Sequence, residues 1–134
     1  MDATTTRLVD FAMQAEYAKL PADTVHECKR RLIDTFACAI AAYDEPVCQM
    51  ARAVAQRYVG NPGATVWGCT WQTSAEAAAF ANGVMLRFLD LSDTSLIKSR
   101  GHPSDVMAGI LAVGDAVHAS GASVINAITL GYDA

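Results

Sequence analysis

Apolar residues recur at helical spacing along almost the whole chain, and prolines at positions 21, 46, 62 and 103 divide it into segments. Leu8, Phe11, Ala12 and Ala15 mark a first short amphipathic helix. After Leu20-Pro21-Ala22-Asp23, with Asp23 as N-cap, a longer helix is predicted to bury Val25, Cys28, Leu32, Phe36, Ala39 and Ile40. It shows Glu27, Lys29, Arg30 and Arg31 to water and stops near Tyr43. A third helix opens at Asp44-Glu45-Pro46, because the N–H that proline lacks would be unpaired in a first turn. Its apolar residues at 47, 50, 51, 54, 55 and 58 form a one-sided stripe.

The period then vanishes from Tyr58 to Thr73, where Gly60, Pro62, Gly63 and Gly68 predict an exposed connection with one short extended segment. Thr73-Ser74-Ala75-Glu76 fits a capping box and opens an alanine-rich helix through Leu89. Its small residues Ala75, Ala78, Ala79, Ala81 and Gly83 admit close approach of another helix. Leu91 to Pro103 reads as a polar, aperiodic loop of a length that is usually functional or mobile. Ser104 offers an N-cap for a helix carrying Val106, Ile110, Leu111, Val113 and Val117, which Gly121 is predicted to end. A last helix runs from about Ala122. Its apolar pattern is still rising at Asp133-Ala134, with neither a glycine cap nor a polar tail, so the sequence reads as cut inside an element. The fold class expected is all-α, a bundle of about six helices with little or no strand.

Composition narrows the class further. With 134 residues, 52% of them hydrophobic and 25 of them alanine, one compact domain is feasible and disorder is disfavoured. The longest apolar runs, Thr35 to Tyr43 and Val106 to Gly114, are about half the ~20 residues of a membrane-spanning helix. The N-terminus has no secretory or transit character, so a cytoplasmic location follows by default. A net charge of −4 with dispersed basic residues disfavours nucleic acid. Cys28, Cys38, Cys48 and Cys69 form no C-x-x-C pair and no metal spacing, and read as reduced thiols packed as small hydrophobes.

Candidate chemistry concentrates between Asn82 and Asp105. A helix delivers Asp90 at its C-terminal end, a loop supplies Asp93, Thr94, Lys98 and Arg100, and His102 precedes the next helix. A carboxylate at a helix C-terminus faces the negative end of the dipole, so Asp90 is expected to be either paired with a cation or protonated. His102 alone here has an unperturbed pKa near neutrality, which suits it to move a proton or hold a carboxylate. The plainer alternative is a solvated connection in which Gly101-His102-Pro103-Ser104 starts a helix and the histidine is merely exposed. Lys98 and Arg100 either draw in a polyanion or are solvated. His26 and His118, without acidic or cysteine partners at i+4, read as surface or packing residues.

These stretches resemble the MmgE/PrpD family, whose members include 2-methylcitrate dehydratase, cis-aconitate decarboxylase and iminodisuccinate epimerase. The likeness rests on Ala79-Phe80-Ala81-Asn82-Gly83, Leu89-Asp90-Leu91-Ser92-Asp93-Thr94 and Gly101-His102-Pro103-Ser104. Leu20-Pro21 through Arg31-Leu32-Ile33-Asp34-Thr35 and Ala127-Ile128-Thr129-Leu130-Gly131-Tyr132 extend it in order along the chain. The resemblance implies that residues 1–134 form one partial helical domain, without its C-terminal remainder or the smaller α/β lid. It implies a lyase of propionate-type metabolism acting on small di- or tricarboxylates, a homodimer, and no metal or other cofactor. It places Asp90, Thr94 and His102 in the site. The segment Ser95 to Arg100 lacks the second histidine or tryptophan that many members carry after the threonine.

On that footing His102 is the acid/base or carboxylate binder, Asp90 orients it or shares its proton, and Thr94 bonds substrate. Lys98 and Arg100 are candidate carboxylate binders. The competing expectation is a non-catalytic truncated helical module that keeps the packing and dimer surface without turnover. A redox role for the cysteines lacks any pair at redox spacing.

Overall fold

The computed structural model describes residues 2–58, 60, 62–96 and 101–133. Six α-helices carry it: α1 (Ala3–Gln14), α2 (Ala22–Ala41), α3 (Pro46–Ala55), α4 (Ala75–Arg87), α5 (Asp105–Ala116) and α6 (Gly121–Asp133). A 3₁₀ turn at Tyr17–Lys19 links the first two. The aperiodic stretch folds into two strands rather than one: β1 (Ala64–Thr65) and β2 (Gln72–Thr73) pair antiparallel, Ala64 opposite Thr73. Among the described residues the molecule is all-α apart from this ribbon.

α4 is the central element. It packs most extensively on α5, and also against α3 and α2. Its small residues permit this: Ala78 and Ala81 are fully buried, and a Cβ on Gly83 would stand 3.7 Å from the Ala108 Cβ. The main core gathers Ala39, Cys48, Ala55, Val66, Ala78, Met85 and Ala112 from α2, α3, β1 and its flank, α4 and α5. A second cluster, Cys28, Met107, Ile125 and Ile128, joins α2, α5 and α6. Asn82 is buried inside the first core and stands in for a strand, its Oδ1 accepting from the Trp67 N–H at 2.9 Å and its Nδ2 donating to the Thr65 carbonyl at 3.1 Å. The four cysteines are unpaired thiols, three buried and Cys69 half-buried.

Several local expectations are corrected. Asp23 lies within the first turn of α2, where it still complements the dipole, while Pro21 occupies the cap position without a side-chain bond. The cap of α4 is Ser74, whose Oγ accepts from the Ala77 N–H; Thr73 instead turns its hydroxyl to the Ala55 and Tyr58 carbonyls. Gly121 does not end α5. That helix stops at Ala116, His118 takes a left-handed φ of 53°, and the Ala119 N–H closes back on the Gly114 carbonyl at 2.8 Å. The Ser120 hydroxyl then accepts from the Ser123 N–H at the start of α6.

Helical period also overstated burial. Ile40 is 73% exposed, and Phe36, which meets Trp67 edge-on at 4.9 Å between centroids, is 37% exposed. Leu8 and Phe11 on α1 and Val47, Met50 and Val54 on α3 are exposed as well. A period identifies an apolar face and says nothing of what covers it. Where small and large residues compete for one interior, alanines and cysteines of α2 and α3 take it.

Candidate active site

α4 ends at Arg87, and the chain reverses at Asp90, whose φ of 54° is left-handed. Non-glycine residues seldom adopt that conformation, and aspartate is among the few that do. The Asp90 N–H donates to the Arg87 carbonyl at 3.0 Å, so the turn is tight. Arg87, in the last turn where a cation complements the dipole, spreads its guanidinium over three partners. Nη2 donates to Asp90 Oδ1 at 2.9 Å, Nη1 to Ser92 Oγ at 2.7 Å, and Nε lies 3.2 Å from Asp105 Oδ1. Of the two states open to Asp90, the paired one is found.

His102 stands across from this turn. Its Nδ1 lies 2.7 Å from the Asp93 carbonyl oxygen. A carbonyl only accepts, so Nδ1 carries the proton and the neutral ring keeps its lone pair on Nε2. Nε2 faces Asp90 Oδ1 at 3.9 Å, with the histidine side chain 27% exposed. Ser95 and Gly101 exchange backbone bonds at 2.9 and 3.3 Å, which holds Thr94 on the strand of the loop beside His102. Thr94 is exposed. Asp90, Thr94 and His102 therefore share one region of surface; Lys98 and Arg100 lie outside the described residues.

Beneath the loop, Asp93 is the residue that sequence reasoning left without a role. Its side chain is only 4% exposed. Oδ1 accepts from the Ser104 N–H at 3.0 Å, and so caps α5 in place of the Ser104 hydroxyl, which makes no cap bond. Oδ2 accepts from Arg31 Nη1 of α2 at 3.0 Å and from the Tyr132 hydroxyl of α6 at 2.7 Å. Burial pushes the Asp93 carboxyl up, but the bonds from Ser104 and Tyr132 and the charge of Arg31 outweigh it and hold the pKa below the ordinary value. Burial and the same bond push the Tyr132 phenol well up. Arg31, expected in water, is two-thirds covered and also bonds Glu27, whose pKa the paired Arg30 and Arg31 bring down to about 2. The only advance sign of this hub is the second aspartate of Leu89-Asp90-Leu91-Ser92-Asp93-Thr94, a charge set between two apolar helices.

A groove of about 340 Å³ opens between α2 and α6, lined by Thr24, Cys28, Arg31, Ile128, Thr129 and Tyr132 among others. It lies at the Arg31 and Tyr132 side of the hub and includes neither His102 nor Asp90. No group of three or more histidine, cysteine, aspartate or glutamate side chains that could hold a metal ion occurs among the described residues, nor any helix long and apolar enough to cross a membrane.

The model of the MmgE/PrpD N-terminal domain matches residues 6–134. The chain belongs to the MmgE/PrpD family. Among its relatives, the 2-methylcitrate dehydratases of Salmonella typhimurium and Escherichia coli are each 40% identical over 111 residues, 81% of this chain. The probable 2-methylcitrate dehydratase of Saccharomyces cerevisiae is 32% identical over 99 residues, 73% of the chain. The chain spans about a fifth of the length of these relatives, 22% of the two bacterial proteins and 19% of the yeast one. Within the MmgE/PrpD fold, the matched span includes every described element of the loop that holds His102.

Proposed function

We propose that this chain supplies part of the active site of a carbon–oxygen lyase of the 2-methylcitrate dehydratase type, acting on a small di- or tricarboxylate. The observation that carries the reading is the disposition of His102. Its Nδ1 is bound to a carbonyl and its Nε2 is directed toward Asp90. A neutral imidazole held this way presents a lone pair from a defined nitrogen, as a general base requires.

In the reaction, Nε2 takes the proton α to a substrate carboxylate, and the C–H electron pair becomes an enolate-like system. Return of that pair forms the carbon–carbon double bond and expels hydroxide from the adjacent carbon; with the proton it leaves as water. Asp90 Oδ1, 3.9 Å from Nε2, stabilises the imidazolium formed midway. The Thr94 hydroxyl donates to a substrate carboxylate, and Lys98 and Arg100 balance its charge. The same reading makes the working protein a cytoplasmic homodimer.

The test is a chimera in which residues 6–134 replace the matching segment of the Escherichia coli relative. The chimera is expected to dehydrate 2-methylcitrate, and His102→Ala within it to lower turnover roughly a hundredfold or more. Full turnover of the His102→Ala chimera removes His102 from the reaction. A folded chimera without turnover supports instead the non-catalytic helical module.

A further inference from the structure

We propose that Asp93 is the positioning residue of this site: its buried carboxylate, tied to three helices, holds its own carbonyl where it fixes His102 as the Nδ1–H tautomer. The catalytic consequence rests on the reading of His102 given above, whereas the tautomer is a property of this chain alone.

The geometry separates two halves of one residue. The Asp93 carboxylate has both oxygens engaged and is 4% exposed, so it offers nothing to a substrate. Its partners come from far along the chain: Arg31 is 62 residues away, Tyr132 39 and Ser104 11. A desolvated carboxylate is stable only with such partners, and their fixed positions in α2, α6 and α5 leave the Asp93 side chain one placement. That placement orients the Asp93 backbone, and its carbonyl meets His102 Nδ1 at 2.7 Å. The loop is thus pinned from below by side-chain bonds and from beside by the Ser95–Gly101 bridge. A free histidine in water favours the proton on Nε2. Holding it on Nδ1 instead turns the basic nitrogen toward Asp90 and solvent, the side a substrate would occupy.

If Asp93 were a staple and nothing more, its loss would lower stability and leave the imidazole unchanged. The deciding experiment therefore reads the ring itself. In the ¹⁵N-labelled chain, with His26 and His118 assigned through His26→Gln and His118→Gln, long-range proton–nitrogen spectra above the His102 titration are expected to show a protonated Nδ1 and a bare Nε2. In Asp93→Asn, which keeps the shape but sets an amide against Arg31 or Tyr132, the two nitrogen shifts are expected to converge as both tautomers become populated. Tyr132→Phe removes one bond to the carboxylate and touches neither His102 nor Asp90; it is expected to move the shifts the same way by a smaller amount. It carries the comparison alone should Asp93→Asn not fold.

A wild-type ring protonated on Nε2 overturns the proposal. So does an unchanged Nδ1–H signature in folded Asp93→Asn, or, where that variant does not fold, in Tyr132→Phe. A His102→Ala chimera with full turnover would remove the catalytic reading yet leave this result standing, so the two failures are distinct.

Discussion

The Arg87 guanidinium bonds Asp90 Oδ1 at 2.9 Å across a single left-handed turn, so the cation closing α4 and the carboxylate facing His102 form one unit. The same guanidinium reaches Ser92 and Asp105, and through them ties the loop to both helices it joins. Its side chain is 32% exposed and the bonds are solvent-screened, so each contributes little to stability. Arg87→Met, which keeps the stem and removes the charge, is expected to lower stability by only about 1 kcal/mol in urea unfolding. Its larger effect is local: hydrogen exchange at the Asp90 to Asp93 amides should quicken while that in α3 is unchanged. Loss of protection throughout the chain would show that Arg87 serves the whole fold instead.

His118 provides a control for left-handed backbone away from the site. It is exposed, occupies the position after α5 where glycine is the usual residue, and is followed by the Ala119 to Gly114 closure. His118→Gly relieves the left-handed strain of roughly 1 kcal/mol, part of which returns as added freedom in the unfolded chain. Stability is expected to rise by about 0.5 kcal/mol or hold level in urea unfolding. His118→Val should fall by about 1–2 kcal/mol, since a β-branched residue tolerates this conformation least. Equal losses in both variants would count against the backbone argument.

Helix identity was legible in the sequence because the apolar period and the prolines act locally: α2, α3, α4 and α6 fall within about two residues of where the pattern sets them. That polar residues gather between α4 and α5 was legible too, and the structure brings two of them, Asp90 and His102, to within 3.9 Å of each other. What could not be read was pairing at long range. Arg31 and Tyr132 look like an exposed charge and a late apolar position until folding brings α2 and α6 together over Asp93. Asn82 reads in the sequence only as a position on the alanine-rich helix, and only the presence of β1 beside α4 reveals the two backbone groups it satisfies. Caps shifted for the same reason: the Thr73 hydroxyl bonds the Ala55 carbonyl instead of its own helix, and the Asp93 carboxylate, brought in by the tertiary fold, takes the Ser104 N–H at the start of α5.

Asn82 carries a consequence for stability. Its amide is fully buried and bonds the Trp67 N–H and the Thr65 carbonyl with donor and acceptor both in use. Asn82→Ala strands two backbone groups in the core and leaves a small void, which should cost about 3 kcal/mol in urea unfolding. Asn82→Asp keeps the volume but sets an oxygen against the Thr65 carbonyl, and should cost at least as much at neutral pH. Trp67 fluorescence, reporting beside the lost bond, is expected to shift in both. A cost below about 0.5 kcal/mol for Asn82→Ala would mean that water replaces the amide without penalty.

Asp93 gives the fold a defined response to acid. Its native pKa lies below the ordinary value, whereas in the unfolded chain it titrates near about 3.9. The unfolded state therefore binds the proton first as pH falls, so the stabilisation is whole above about pH 4 and drains away as pH descends through the native pKa. Glu27, brought down to about 2 by Arg30 and Arg31, acts in the same window but is partly exposed and is shared by wild type and variant. The informative quantity is thus the difference between the chain and Asp93→Asn. At pH 7 the variant is expected to be less stable by about 2 kcal/mol, less than for a wholly buried pair because Arg31 keeps Glu27. As pH falls below about 4 and on through the native pKa, the two unfolding midpoints should converge as the wild-type carboxylate protonates. Parallel curves across that range would show that the Asp93 charge is not what binds α2, α5 and α6 beneath the loop.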